Sequence, residues 1–102
     1  MSQNFDNFVI QGMYDHLKEM GCDCIIYEDI LQWFKGKGMK GCINKIPNGL
    51  YYYEVFYNFP DVKIKRSDYL YNEQRECQRY CIIWIINNFD DKYVEGAKYI
   101  FH

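Results

Sequence analysis

The chain has 102 residues, 20% of them aromatic, 49% hydrophobic, and a net charge of −2. That length suits one domain, and the apolar content excludes a disordered chain. No apolar run reaches the length of about 20 residues that a membrane-crossing helix needs.

The charge is unevenly spread. Residues 1–34 carry six acids against Lys18. Residues 35–66 carry seven bases against Glu54 and Asp61. Residues 67–102 are mildly acidic again. A basic middle between acidic ends favours partners of matching charge more than the total does. The first residues, MSQNFDNF, lack the basic and apolar segments of an export signal, so a cytoplasmic address is expected. Five cysteines are an odd number, which fits free thiols in a reducing compartment.

Residues 3–20 are expected to form an amphipathic helix. Phe5, Phe8, Val9, Met13, Leu17 and Met20 recur at three- and four-residue steps, and Gly21 suits the stop. Cys22 to Tyr27 reads as a brief strand or a connector. Glu28 to Lys35 reads as a short helix with Ile30, Leu31 and Phe34 inward and Trp33 on its edge. Gly36 to Gly41, GKGMKG, reads as a loop with solvated lysines. It lacks the spacing and the Ser or Thr of a phosphate-binding P-loop.

Cys42 to Ile46 and Leu50 to Phe59 flank Pro47-Asn48-Gly49, and Asn-Gly between β-favouring runs signals a hairpin. Alternation places Tyr51, Tyr53, Val55, Tyr57 and Phe59 on one face of the second run. Leu50, Tyr52, Glu54, Phe56 and Asn58 fall on the other. Both faces are largely apolar, as in a central strand. Pro60-Asp61 is expected to turn the chain into a third strand, Val62 to Arg66, with Val62 and Ile64 inward and Lys63 and Lys65 outward.

Asn72 to Phe89 reads as the main core helix, capped by Asn72. Cys77, Tyr80, Cys81, Trp84 and Ile85 form its inner face. Arg75, Arg79, Ile82 and Ile86 fall on its back. The two isoleucines are either covered by the chain's own first helix or tail, or form an oligomer interface. Asp90 to His102 fits a helix through Tyr93, Val94, Ala97, Ile100 and Phe101 and a strand through Tyr93, Ala97, Tyr99 and Phe101, with a short helix after an Asp90 or Asp91 cap as the expectation. The expected fold class is therefore α+β. An antiparallel sheet of about three strands is packed by an N-terminal helix and a long helix in the C-terminal half, in a single domain spanning 1–102.

The inventory argues against hydrolytic catalysis. There are two serines, Ser2 and Ser67, no threonine, and two histidines, His16 and His102. Cys22-x-Cys24 and Cys77-x-x-x-Cys81 depart from zinc-knuckle spacing, so no metal or cofactor is expected. Glu28-Asp29 and Asp90-Asp91 are adjacent pairs whose side chains diverge, and they suit helix starts.

The candidate binding surface is basic and interleaved with tyrosine. Lys63, Lys65, Arg66, Arg75 and Arg79 form its expected centre, extended by Lys35, Lys37 and Lys40. Such a surface suits RNA phosphates and stacked bases, while the acidic first third could instead meet a basic cleft of a partner. Replacing Arg75 and Arg79 with Glu is expected to leave the fold intact.

The order of elements, with Asp29-Ile30-Leu31-Gln32-Trp33-Phe34 and the later YNEQRECQRYCIIWII run, resembles small proteins of phages and mobile elements. The likeness is one of pattern over about residues 5–89, and it transfers no catalytic residue. It implies a non-enzymatic inhibitor of the anti-CRISPR, anti-defence kind, acting in the host cytosol. Its partner would be a protein or ribonucleoprotein complex such as an RNA-guided nuclease. A directly RNA-binding module and a homodimeric interaction protein are the alternatives.

Overall fold

A computed structural model describes residues 2–58, 62–90 and 93–94, with side chains from Ile10 onward except that of Asn58. The fold is α+β. Its elements run α1 (Ser2–Glu19), α2 (Tyr27–Gly36), β1 (Met39–Lys45), β2 (Tyr51–Asn58), β3 (Val62–Arg66) and α3 (Gln74–Asn88). The strands form one antiparallel sheet in the order β1-β2-β3. Helices α2 and α3 pack on one face of it, and α1 packs on α3.

Local chemistry explains the boundaries. Helix α1 ends at Gly21, whose φ of 95° an L side chain rarely adopts. The Cys22 N–H donates back to the Leu17 carbonyl at 2.8 Å, which satisfies a last-turn acceptor. Helix α2 carries Glu28 and Asp29 in its first turn and Lys35 in its last, both favourable to its dipole. Between β1 and β2, the Ile46 N–H donates to the Leu50 carbonyl at 2.9 Å, while Gly49 takes φ 94°. The Asn48 side-chain oxygen accepts from the Leu50 N–H at 3.0 Å. This is the turn that the Asn-Gly pair signals.

The core joins Met13 and Leu17 of α1, Tyr27, Ile30 and Phe34 of α2, Met39, Tyr53 and Val55 of the sheet, and Cys77, Cys81, Ile82 and Ile85 of α3. Cys22 completes it between α1 and α2. Residues 22–26 form a connector and not a strand. The cysteines are free thiols. Cys77 and Cys81 act here as small apolar residues.

Several expectations change. The glycine-lysine loop is shorter than its composition suggests, because Met39 to Gly41 belong to β1 and Met39 is fully buried. At the start of α3 the flanking position is Glu73, with no side-chain cap, so Asn72 lies one residue outside.

The buried face of α3 is also turned by one residue. It runs Cys77, Gln78, Cys81, Ile82, Ile85 and Ile86, while Tyr80 is exposed and Trp84 half-buried. The cause is a second neighbour. The sheet lies on one side of α3 and α1 on the other, so the helix buries a wide arc. Ile82 is 0% exposed and Ile86 9%. Neither is available as an oligomer interface, and that expectation is withdrawn.

The facing of β3 is inverted. In an antiparallel pair, residues directly opposite share a face. Lys63 pairs with Tyr57 and Lys65 with Val55, on the helix-covered face. Val62 pairs with Asn58 and Ile64 with Phe56, on the open face, and each is 57% exposed. The register with β2 sets this facing. The helices rest on β1 and β2, so β3 lies beyond their cover and its alternation does not report a core.

The expected Pro60-Asp61 turn, the Phe5–Val9 side chains and most of the tail lie outside the described residues. Tyr93 and Val94 are helical, and the Tyr93 N–H donates to the Asp90 carbonyl at 3.0 Å.

Candidate interaction surfaces

The fold divides the basic residues among four places. Lys63 and Lys65 stand on the helix side of β3, and Arg66 stands on the open side. Arg75 and Arg79 lie on α3 beside α2. Lys35 and Lys37 close α2. Lys40, opposite Phe56, is on the open face of β1. The expected contiguous patch therefore does not assemble.

Most of these cations have internal partners. Arg66 Nη2 meets Glu54 Oε2 at 2.9 Å, and its guanidinium lies over the Tyr52 ring at 5.5 Å. Lys65 Nζ is 3.1 Å from Asp68 Oδ1. Lys37 lies 5.2 Å from the centre of the Trp33 ring, and Lys45 5.7 Å from that of Tyr51.

Arg75 and Arg79 serve the fold. The Arg75 guanidinium covers the buried Tyr27 ring at 4.5 Å, and Arg79 Nε donates to the Tyr27 hydroxyl at 3.0 Å. Beside them the buried Gln78 donates to Glu28 Oε2 at 2.8 Å. That bond is the main reason the Glu28 carboxyl titrates below its ordinary value. Across the same end, the Tyr14 hydroxyl donates to the Ile25 carbonyl at 2.7 Å. The Arg75, Arg79 and Gln78 contacts join α3 to α2, and the Tyr14 bond ties α1 to the connector that leads into α2. Charge reversal at Arg75 and Arg79 would break their contacts with α2, which corrects the expectation that the fold tolerates that change.

Two surfaces remain. The first is the open face of the sheet. Register places Lys40, Cys42 and Asn44 of β1, Tyr52, Glu54 and Phe56 of β2, and Val62, Ile64 and Arg66 of β3 side by side on it. Glu54, at its centre, takes hydrogen bonds from Asn44 and Arg66, which leaves the middle without an unmatched charge. What remains is an aromatic and aliphatic strip with cations at its margins. β3 is an edge strand, and its alternating lysines are a known way of blunting such an edge.

The second surface is a pocket of about 470 Å³ on the helix side, where α3 overhangs β2 and the segment after β3. Tyr53, Tyr71 and Tyr80 stack in a column, with ring centres 6.3 and 5.3 Å apart. The pairing of Tyr71 with Tyr51 fixes the column's middle, since each backbone N–H donates to the other's carbonyl at 2.8 Å. Tyr69 and Trp84 add aromatic wall, and Asp68 and Glu76 add carboxylates. Burial first, and then the neighbouring Cys77 and Tyr80 ahead of Glu76 and Asp68, push the Tyr71 phenol up to about 12.

The expected basic surface did not include this pocket. Its sequence signal is Tyr69-x-Tyr71 ahead of Tyr80 and Trp84 at four-residue spacing, which reads equally well as core packing. Among the described residues, no group of three or more His, Cys, Asp or Glu is placed to hold a metal ion. No described helix is long and apolar enough to cross a membrane. Burial pushes the thiols of Cys22, Cys77 and Cys81 up, away from the thiolate that nucleophilic chemistry needs.

Comparison with protein-family models, with curated proteins and with solved structures finds no match.

Proposed function

We propose that the protein is a non-enzymatic binding protein that holds a protein partner on the open face of its sheet. The observation that carries this reading is the inverted β3. Val62 and Ile64 stand 57% exposed on this face, with Ile64 directly opposite Phe56, and among the described residues no element covers them. An exposed apolar patch of that kind on a small protein usually marks an interaction site. Its chemistry suits a partner with an apolar patch edged by acids, which would meet Lys40.

The anti-defence inhibitors that the sequence pattern resembles act by binding. The first partners to test are therefore protein subunits of RNA-guided nucleases. RNA itself is the less favoured ligand, because the cations are dispersed and Arg66 is paired within the strip.

The test mixes the purified chain with candidate nuclease complexes and follows co-elution and nuclease activity. Val62→Lys with Ile64→Lys should abolish co-elution and restore nuclease activity while leaving the thermal melt within a few degrees. Co-elution that survives both lysines overturns the assignment of this face. Failure to co-elute with any such complex removes the proposed partner class. A salt-sensitive shift of labelled RNA by the chain alone would favour the RNA-binding alternative.

A further inference from the structure

The tyrosine pocket lies on the opposite side of the sheet from the apolar strip, and its lining has a different chemistry. Four tyrosines and Trp84 line one space, together with the carboxylates of Asp68 and Glu76. Among its described lining residues there is no lysine or arginine.

An aromatic face is an electron-rich surface that attracts a cation within about 6 Å of its centre. Carboxylates close by add to the same potential. Glu76 makes no ion pair among the described residues. Asp68 stands 73% exposed at the rim, where it already takes the ammonium of Lys65. Tyr80 is 39% exposed and Tyr69 73%, so both rings are within reach of a ligand from solvent. This is not a collapsed core gap. A volume of about 470 Å³ lies within the range of pockets that take small ligands. The stacked column Tyr53-Tyr71-Tyr80 is anchored at both ends, by β2 and by α3, so the wall is fixed before any ligand arrives.

We propose that this pocket binds an organic ammonium group, held by aromatic faces and by the carboxylate of Glu76. The ammonium belongs either to a free small cation or to a lysine-type side chain of a partner. Ammonium chemistry is the shared requirement. An anion is repelled by Glu76 and Asp68, and a neutral apolar ligand gains nothing from them.

The experiment titrates the full chain with choline and with its neutral isostere 3,3-dimethylbutanol, following the indole N–H resonance of Trp84 by NMR. Trp33, which lies on α2, serves as the internal reference. Choline should shift the Trp84 resonance saturably, and the isostere should bind about tenfold more weakly or not at all. Glu76→Gln should weaken choline binding several-fold, and Tyr80→Ala should abolish the shift. Because Tyr80 is partly exposed, that variant should keep a folded amide spectrum, which the same data report. Nα-acetyl-trimethyl-lysine amide separates the sources. Tighter binding than choline points to a partner's side chain, and weaker binding to a free cation. Equal affinity for choline and its neutral isostere overturns the proposal, as does a Trp84 resonance that no cation moves. Choline binding that survives both Tyr80→Ala and Glu76→Gln places the site elsewhere and overturns it as well.

Discussion

Gly41 is where the sheet comes closest to the helices. A methyl group added there would lie 2.8 Å from Cys81 Sγ, 2.9 Å from Leu31 Cδ2 and 3.3 Å from Ile85 Cδ1. The first two approaches are well inside ordinary van der Waals contact. Overpacking of this kind typically costs about 1–3 kcal/mol. Replacing glycine by alanine in a compatible backbone returns about 0.4–1 kcal/mol through the unfolded state. Gly41→Ala should therefore destabilise the fold by about 1–2 kcal/mol.

With a urea slope of about 1–1.5 kcal/mol per molar for a chain this small, the unfolding midpoint should fall by roughly 1 M. Cys81→Ala alone should cost about 1 kcal/mol by removing a buried sulfur. In the double variant the new methyl occupies the space the sulfur leaves, so the costs should fall short of additive by about 0.5 kcal/mol or more. Urea unfolding of the four proteins, followed by far-UV circular dichroism, measures the cycle. A neutral or stabilising Gly41→Ala would refute the close approach of strand and helices, and strict additivity would refute the role of Cys81 in it.

Three further outcomes can be checked directly. Arg79→Glu should destabilise the chain by about 1–3 kcal/mol, because it removes the donor to the Tyr27 hydroxyl and sets a carboxylate in its place, readable in the same urea titration. Native-state alkylation followed by mass spectrometry should modify the half-buried Cys24 and Cys42 quickly and the buried Cys22, Cys77 and Cys81 only on unfolding. Thermal stability should fall at alkaline pH. Burial raises the Cys77 thiol from 9.0 to about 11, so its contribution is complete below 9.0 and lost as pH climbs to about 11. Cys81 is raised as well and contributes over the same window, so Cys77→Ala should make that part of the pH profile shallower without removing it.

The parts of the fold that announce themselves in the sequence are those governed by local chemistry. Asn48-Gly49 marks the hairpin because few other residues accept its backbone. Gly21 marks the end of α1 for a similar reason. The α+β class follows from three β-favouring runs set between helical periods. Orientation is less legible. The pattern VKIKR alternates cleanly, yet alternation says which residues share a face and not which face is covered. Beyond the reach of α2 and α3 the covered side of β3 carries the lysines. In α3 an apolar run from Cys81 to Ile86 fits several faces, and only the presence of α1 selects Ile82 and Ile86 for burial. The scattered destinations of the basic residues could not be read from their clustering along the chain. Arg66 and Lys65 are neighbours in sequence and stand on opposite sides of the sheet. The tyrosine pocket is assembled from β2, the segment after β3, and α3, and no single stretch displays it.

The way α1 is attached has a kinetic consequence. Its principal packing is against α3, while the sheet is held together by its own ladders and by the other two helices. Detaching α1 therefore leaves every strand pairing in place, so its opening free energy is smaller than that of the whole fold. The amides of α1 should then exchange with solvent hydrogen as a group before those of β2. In the cell such an opening would present the Ile83 and Ile86 flank of α3, which lines a small cavity with Met13 and His16 in the closed form, as a transient hydrophobic surface. The weakest joint in the molecule thus sets where a protease or a chaperone would first engage it.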